Sequence, residues 1–133
     1  MFSTRNLNED DYNTLVDWWD KSNFPPPPKH KLPLNGLGGI MVFKDDINVC
    51  AGFLYLTNSS ISWLEFVVAN YNYREKDRKD AIRLLIKRLC DIAKDLGFDT
   101  VFSVCQSPFL INHFKNEGFT VDERKSTEVV KLL

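Results

Sequence analysis

The stretch "VVANYNYREKDRKDAIRLLIKRLCDIAKDLGF", residues 67–98, constrains this chain more than any other. An apolar, strand-like run enters a short polar connection, and the connection opens a long amphipathic helix. Ala81, Ile82, Leu85, Leu89, Ile92, Ala93 and Leu96 recur at spacings of three and four. That period predicts a helix from Asp77 to Leu96 with one apolar face, and Gly97 is placed to stop it. Such a helix needs a surface to cover, and its neighbours supply one. In "SSISWLEFVVAN" the alternation sets Trp63, Glu65 and Val67 on one face of a strand and Leu64, Phe66 and Val68 on the other. "GIMVFKDDINVCAGFLYLTN" has hairpin grammar: Ile40 to Phe43 and Val49 to Leu56 flank the turn-forming "KDDIN". "FDTVFSVC" is the strand after the helix, so residues 61–104 read strand, helix, strand, with a crossover and parallel pairing.

The flanks complete the pattern. "FSTRNL" is a short extended start. "NEDDYNTLVDWWDKSN" predicts a helix with Asn8 or Asp10 as cap and acids at its positive end. Four consecutive prolines in "FPPPPKHKLPLNGLGG" can neither continue a helix nor donate to a ladder, which predicts an extended loop. "SPFLINHFKNEGF" reads as a helix with Ser107 as N-cap, Pro108 in its first turn and Gly118 beyond its end. "FTVDERK" and "TEVVKLL" are expected as two final strands. The fold class is α+β: one domain over residues 1–133, with a mixed, mostly antiparallel sheet of six or seven strands and helices on both faces.

A net charge of -1 offers no bulk attraction to nucleic acid or to an anionic membrane. Cys50, Cys90 and Cys105 lie inside apolar runs without metal-ligand spacing, and His30 and His113 stand far apart. A disulfide framework and a metal site are therefore not expected. No apolar run reaches the ~20 residues of a membrane-spanning helix, and no signal-peptide pattern opens the chain. A soluble, cytoplasmic protein is expected.

The order of elements, the strand-turn-helix centre and the closing "HFKNEGF" resemble the Gcn5-related N-acetyltransferase (GNAT) superfamily over essentially the whole chain. "GFLYLTNSS" running into "SWLEFVVAN", with the glycine-free "REKDRKDAIRLLI", is similar to a divergent set of such proteins in bacteriophages, which would place the protein in a host cytoplasm. The resemblance implies an acyltransferase that moves acetyl from acetyl-CoA to an amine, small molecule or protein. It also leaves open a catalytically inactive member of the fold used as a binding or structural module. A homodimer is compatible with either; nucleic acid, membrane and metal are not implied.

The resemblance also implies a site. Acetyl-CoA would sit between the strands "SWLEFVVA" and "TVFSVC", its pantetheine pairing with the backbone at Phe66, Val67 and Val68. The pyrophosphate would lie at the turn, where the family carries glycines and this chain carries "REKDRKDA". Arg74 matches the family's opening residue, while Asp77 and Lys79 fall on glycine-bearing positions. Arg74, Lys76, Arg78 and Lys79 set four positive charges against three negative ones from Glu75, Asp77 and Asp80. Basic side chains would then replace the usual nest of backbone amides; a solvated helix start with pairs such as Lys76 and Asp80 is the competing reading. Glu65 stands where some members place a general base, and equally where a structural acid could bond to backbone amides. Ser107 takes the position of a CoA-contacting asparagine. Phe114 takes that of a proton-donating tyrosine, and His113, about 100° away around the helix, cannot replace it. The first helix, with Trp18 and Trp19, and the proline loop would form the acceptor side; packing of tryptophan in the core is the simpler alternative.

Overall fold

The computed structural model describes all 133 residues. Strand β1 (Ser3–Asn6) leads into helix α1 (Asp11–Lys21). The proline loop follows, with short 3-10 turns at Lys29–Lys31 and Pro33–Gly36. Strands β2 (Gly39–Lys44), β3 (Ile47–Tyr55) and β4 (Ile61–Ala69) then run as an antiparallel meander. Helix α2 (Arg78–Asp95) crosses over to β5 (Thr100–Phe102), which pairs parallel to β4, and α3 (Pro108–Asn116) follows. The sheet order is β1-β2-β3-β4-β5. No helix is long and apolar enough to cross a membrane.

The sheet has five strands, not six or seven. "FTVDERK" and "TEVVKLL" have strand composition but form neither strand nor helix, because nothing pairs with them. Elsewhere the expected elements stand within a few residues of their places. Ser107 caps α3, its Oγ accepting from the Leu110 N–H at 3.4 Å. Gly97 and Gly118 take φ of +95° and +90° just past their helices, where a side chain would be strained.

Helices cover both faces of the sheet. On one, Leu15, Trp18 and Trp19 of α1 bury against Met41, Ala51, Phe53 and Val68. On the other, Ala81, Leu85, Ile86 and Leu89 of α2, with Phe114 of α3, bury against Ile40, Val42, Cys50 and Leu64. Gly52 lets α2 come close, since a Cβ there would sit 3.3 Å from both Leu85 and Leu89. Both tryptophans of the adjacent pair are buried, so an exposed pair on the acceptor side is ruled out.

One residue breaks the expected alternation. Phe66, in β4, has φ of +58°, and the β3–β4 register shifts opposite it, between Ala51 and Phe53. This bulge turns Val67 to the α2 side, away from Glu65, while Phe66 joins Val68 on the α1 side. A non-glycine residue in this conformation costs ~1–3 kcal/mol. The Phe66 ring offsets the strain among Trp19, Phe24 and Tyr55, whose centroids lie 6.2–6.4 Å away.

The entry to α1 is held by ions rather than by a side-chain cap. The Arg5 guanidinium donates to both carboxylate oxygens of buried Asp11, at 2.7 and 2.9 Å, and the Asn8 N–H donates to Asp11 at 2.7 Å. Burial pushes the Asp11 carboxyl up, but the bonds from Arg5 and Asn8 prevail and hold it below the usual aspartate range. A depressed carboxylate contributes stability above its unfolded pKa and loses it as pH falls through the folded value. Asp11→Ala is expected to cost about 2–3 kcal/mol at neutral pH, a loss that thermal unfolding will show and that shrinks in strong acid.

Candidate functional site

Strands β4 and β5 share only three residue pairs, ending at Trp63 and Phe102. Beyond that point they part, so from Leu64 to Ala69 the β4 edge facing β5 has no strand partner. Backbone polar groups cannot be left unpaired without cost, which makes this opening a ready acceptor for an extended, amide-bearing ligand. The bulge at Phe66 lies within it. Phe66, Val67 and Val68 thus stand together at the opening.

Glu65 sits where the strands separate. Its Oε1 accepts from the Val104 N–H at 2.8 Å, bridging the gap with a side chain where a ladder bond would otherwise run. Burial raises the Glu65 carboxyl above the usual glutamate range; the Val104 bond opposes this, and the charge of Glu128 adds to it. The two readings of this acid meet in one residue: it is bonded to backbone as a structural acid would be, and its pKa is moved toward that of a useful base.

Beside Glu65 the floor is aromatic. Trp63, 37% exposed, shares its face and packs at 5.2 Å between centroids against Phe102, also exposed. Trp18 and Trp19 had drawn attention because they are adjacent in sequence. Trp63 and Phe102 occupy the place beside the acid, and the signal for them was available: Trp63 alternates with Glu65, and Phe102 lies on the strand paired to it.

At the end of β4 the connection to α2 carries the basic cluster. Asp77 stands at the helix N-cap but makes no side-chain cap. Its carboxylate instead accepts from Lys44 Nζ at 2.9 Å and from the Tyr73 hydroxyl at 2.7 Å. The Lys44 bond foremost, then the Tyr73 bond, holds Asp77 below the usual aspartate range. Lys44 comes from the distant β2, and with its neighbour Asp45 counted as well the local balance stays at +1. Arg74, Lys76 and Lys79 are exposed, and none of them forms an ion pair; the expected Lys76–Asp80 pair does not form. The Arg78 Nε is buried without a partner. Next to this turn lies a polar cavity of about 410 Å³, whose lining includes the bases Lys44 and Arg74, the acids Asp45 and Glu75, and Asn70, Asn72 and Tyr73. Unpaired bases and an orphaned guanidinium nitrogen suit an anion, with Asp77 met by Lys44 while Glu75, Asp80 and Asp45 keep their charge beside them.

Ser107 follows β5, its hydroxyl engaged as the α3 cap. Phe114 is part of the core, buried against Phe119 at 4.7 Å. His113 is held below the usual histidine range by burial and by Arg83, and its Nδ1 has no partner. The thiols are poor nucleophiles: burial pushes Cys50 up to about 12 and Cys90 to about 11, and raises Cys105, near Glu65, as well.

No family model matches the sequence, and no curated protein matches it significantly. Solved structures match its fold. An acetyltransferase of Trypanosoma brucei is 17% identical, with a TM-score of 0.65 over 98% of this chain and 100% of its own. A transcriptional regulator of Bacillus halodurans is 12% identical, with a TM-score of 0.69 over 98% of this chain and 100% of its own. N-acetylglutamate synthase of Neisseria gonorrhoeae, in complex with coenzyme A and N-acetyl-glutamate, is 12% identical, with a TM-score of 0.72 over 90% of this chain. This chain spans 28% of that synthase. The architecture is that of the Gcn5-related N-acetyltransferases, with a five-stranded sheet.

Because Phe114 serves the core, Phe114→Ala is expected to lower stability by about 3 kcal/mol, measured by denaturant unfolding.

Proposed function

We propose that this chain is an acyl-CoA N-acyltransferase that transfers acetyl from acetyl-CoA to an amine. The observation that carries the reading is the opening between β4 and β5, with Glu65 where the strands part and a basic helix start at one end. Its support from comparison is the fold, shared with acetyltransferases and with a synthase crystallised with coenzyme A.

The β4 edge at Phe66, Val67 and Val68 would pair with the amide-bearing arm of the thioester and polarise its carbonyl. Arg74, Lys76, Arg78 and Lys79 would hold the pyrophosphate, and Ser107 would border the same arm. The acceptor would lie over Trp63 and Phe102, a floor suited to an ammonium carried on an apolar or flat body. Glu65 takes a proton from the ammonium, directly or through water, and the free amine attacks the carbonyl carbon. The N–C bond forms and the C–S bond breaks; the nitrogen sheds its second proton to solvent, and solvent protonates the departing thiolate, since Phe114 has no proton to give.

A second reading is binding without turnover. The Val104 N–H already holds one oxygen of Glu65, and a buried phenylalanine stands at the acid's position.

Calorimetric titration tests the first step. Acetyl-CoA is expected to bind, and the double change Arg74→Ala and Lys76→Ala to weaken it about tenfold, ~1.4 kcal/mol, with a shallower salt dependence. No heat and no thermal shift at saturating acetyl-CoA overturns the reading.

Turnover tests Glu65. A base with a raised pKa must lose its proton to act, so kcat/KM should rise with pH through a value above the ordinary glutamate range. Glu65→Gln should remove that limb and lower kcat at least tenfold while leaving acetyl-CoA affinity unchanged. The linked stability has the opposite sense: the raised carboxyl favours the folded state in acid, and that contribution fades as pH climbs through the folded value. Glu65→Gln should therefore keep or raise the melting temperature at neutral pH, since the neutral amide avoids the buried charge and its oxygen can still accept from Val104. Binding of acetyl-CoA with no acetylation across an amine panel would favour the second reading.

A further inference from the structure

We infer that a cross-strand row of Tyr55, Trp63 and Phe102 binds an aromatic monoamine that lacks a carboxylate, its ammonium at Glu65. The inference rests on the acyltransferase reading only in making this amine the acceptor. The row follows from register: Tyr55 of β3 stands opposite Trp63 of β4, and Trp63 opposite Phe102 of β5. Their alternates Leu54, Leu64 and Val101 pack on the α2 side, so the three rings share the other face. The core residues of α1 group with Met41, Ala51, Phe53 and Val68, leaving Trp63 and Phe102 exposed. Neighbouring strands lie ~4.8 Å apart, so the row is a flat shelf roughly 10 Å long. The Tyr55 hydroxyl donates to the Lys31 carbonyl at 2.9 Å, which leaves its ring as the part a ligand meets.

Charge selects the occupant. Glu65 stands two residues beyond Trp63 on the same face, about 7 Å along the strand. One of its oxygens accepts from Val104, and no lysine or arginine pairs with the carboxylate. The charge that acts on it is that of Glu128, another acid. An acid without a cation, set beside aromatic faces, is complementary to a ligand that brings both an ammonium and a flat ring. The spacing asks for a short alkyl arm between them. A carboxylate on the ligand would meet two acids and no base, and further hydroxyl or ammonium groups would lie on the rings unpaired. A second copy seated here would set acids against acids, and a nucleic acid would bring phosphates to them.

Phenethylamine, phenylalanine and butylamine test this, since the second adds a carboxylate and the third lacks the ring. Calorimetry on the full chain, alone and with saturating coenzyme A, reads binding; thiol release from acetyl-CoA reads turnover. Phenethylamine should bind about tenfold tighter than butylamine and about a hundredfold tighter than phenylalanine, with kcat/KM in the same order. Trp63→Ala and, separately, Phe102→Ala should erase the preference for phenethylamine over butylamine. Both side chains lie outside the two cores, so the variants should keep the circular dichroism of the fold. Equal binding of phenylalanine or of butylamine overturns the inference, as does a preference that survives Trp63→Ala. Absence of phenethylamine binding in both states overturns it as well. Turnover of other amines with phenethylamine left untouched overturns it and leaves the acyltransferase reading standing. Phenethylamine binding with no thiol released by any amine overturns the acyltransferase reading alone, and the shelf stands as an amine site.

Discussion

The site depends on the parting of β4 from β5 and on the bulge that makes β4 irregular just beyond. Phe66 at φ of +58° costs energy that a regular strand would not spend. The cost is met by packing, for its ring lies among Trp19, Phe24 and Tyr55. Helix α1 therefore helps to stabilise the backbone of the opening as well as covering a face of the sheet. With Phe66 turned toward α1, Val67 is released to pack under α2, and the strand contributes to both cores within two residues. Glu65 then bridges the first unpaired position to Val104, so the opening begins at a fixed place rather than fraying.

Much of this fold was legible in the sequence because its signals are periodic. The apolar stripe of α2, the meander from Gly39 to Ala69, and the Ser107 cap with Gly118 beyond α3 all follow from local spacing. The bulge was not legible. In "EFVV" three consecutive residues are apolar, so the letters are the same whether the strand alternates or slips, and only packing from two helices decides. The last two strands failed for a related reason: β-composition says a segment can pair, not that an edge is in reach. The adjacent tryptophans could be read as core or as surface from the letters alone, and docking of α1 settles both as core.

The site divides in the same way. Glu65 was singled out as an acid inside an apolar strand, and the structure sets it at the opening with a backbone partner. The basic residues of the turn were visible as a run. The partner of Asp77 was not, because Lys44 lies 33 residues earlier and meets it only through the β2–β3 turn. Trp63 and Phe102 became a pair only when parallel pairing set them side by side.

The Lys44–Asp77 contact changes how a glycine-free turn should be judged. Glycine in such a turn lets backbone amides approach an anion closely, and the amides remain whatever side chain is removed. Charged side chains act over a longer range, tolerate looser geometry and are screened by salt. An aspartate at the helix start would ordinarily repel a phosphate, but here its charge is met by Lys44 and its second oxygen by Tyr73. The contact is exposed and weak as a source of stability. Its larger effect is electrostatic, because it offsets one of the turn's three acids, while Glu75 and Asp80 still stand beside Arg74, Lys76 and Lys79. Such a turn exchanges the fixed geometry of a backbone nest for a tunable field, and its hold on any polyanion must fall with ionic strength more steeply than that of a glycine turn.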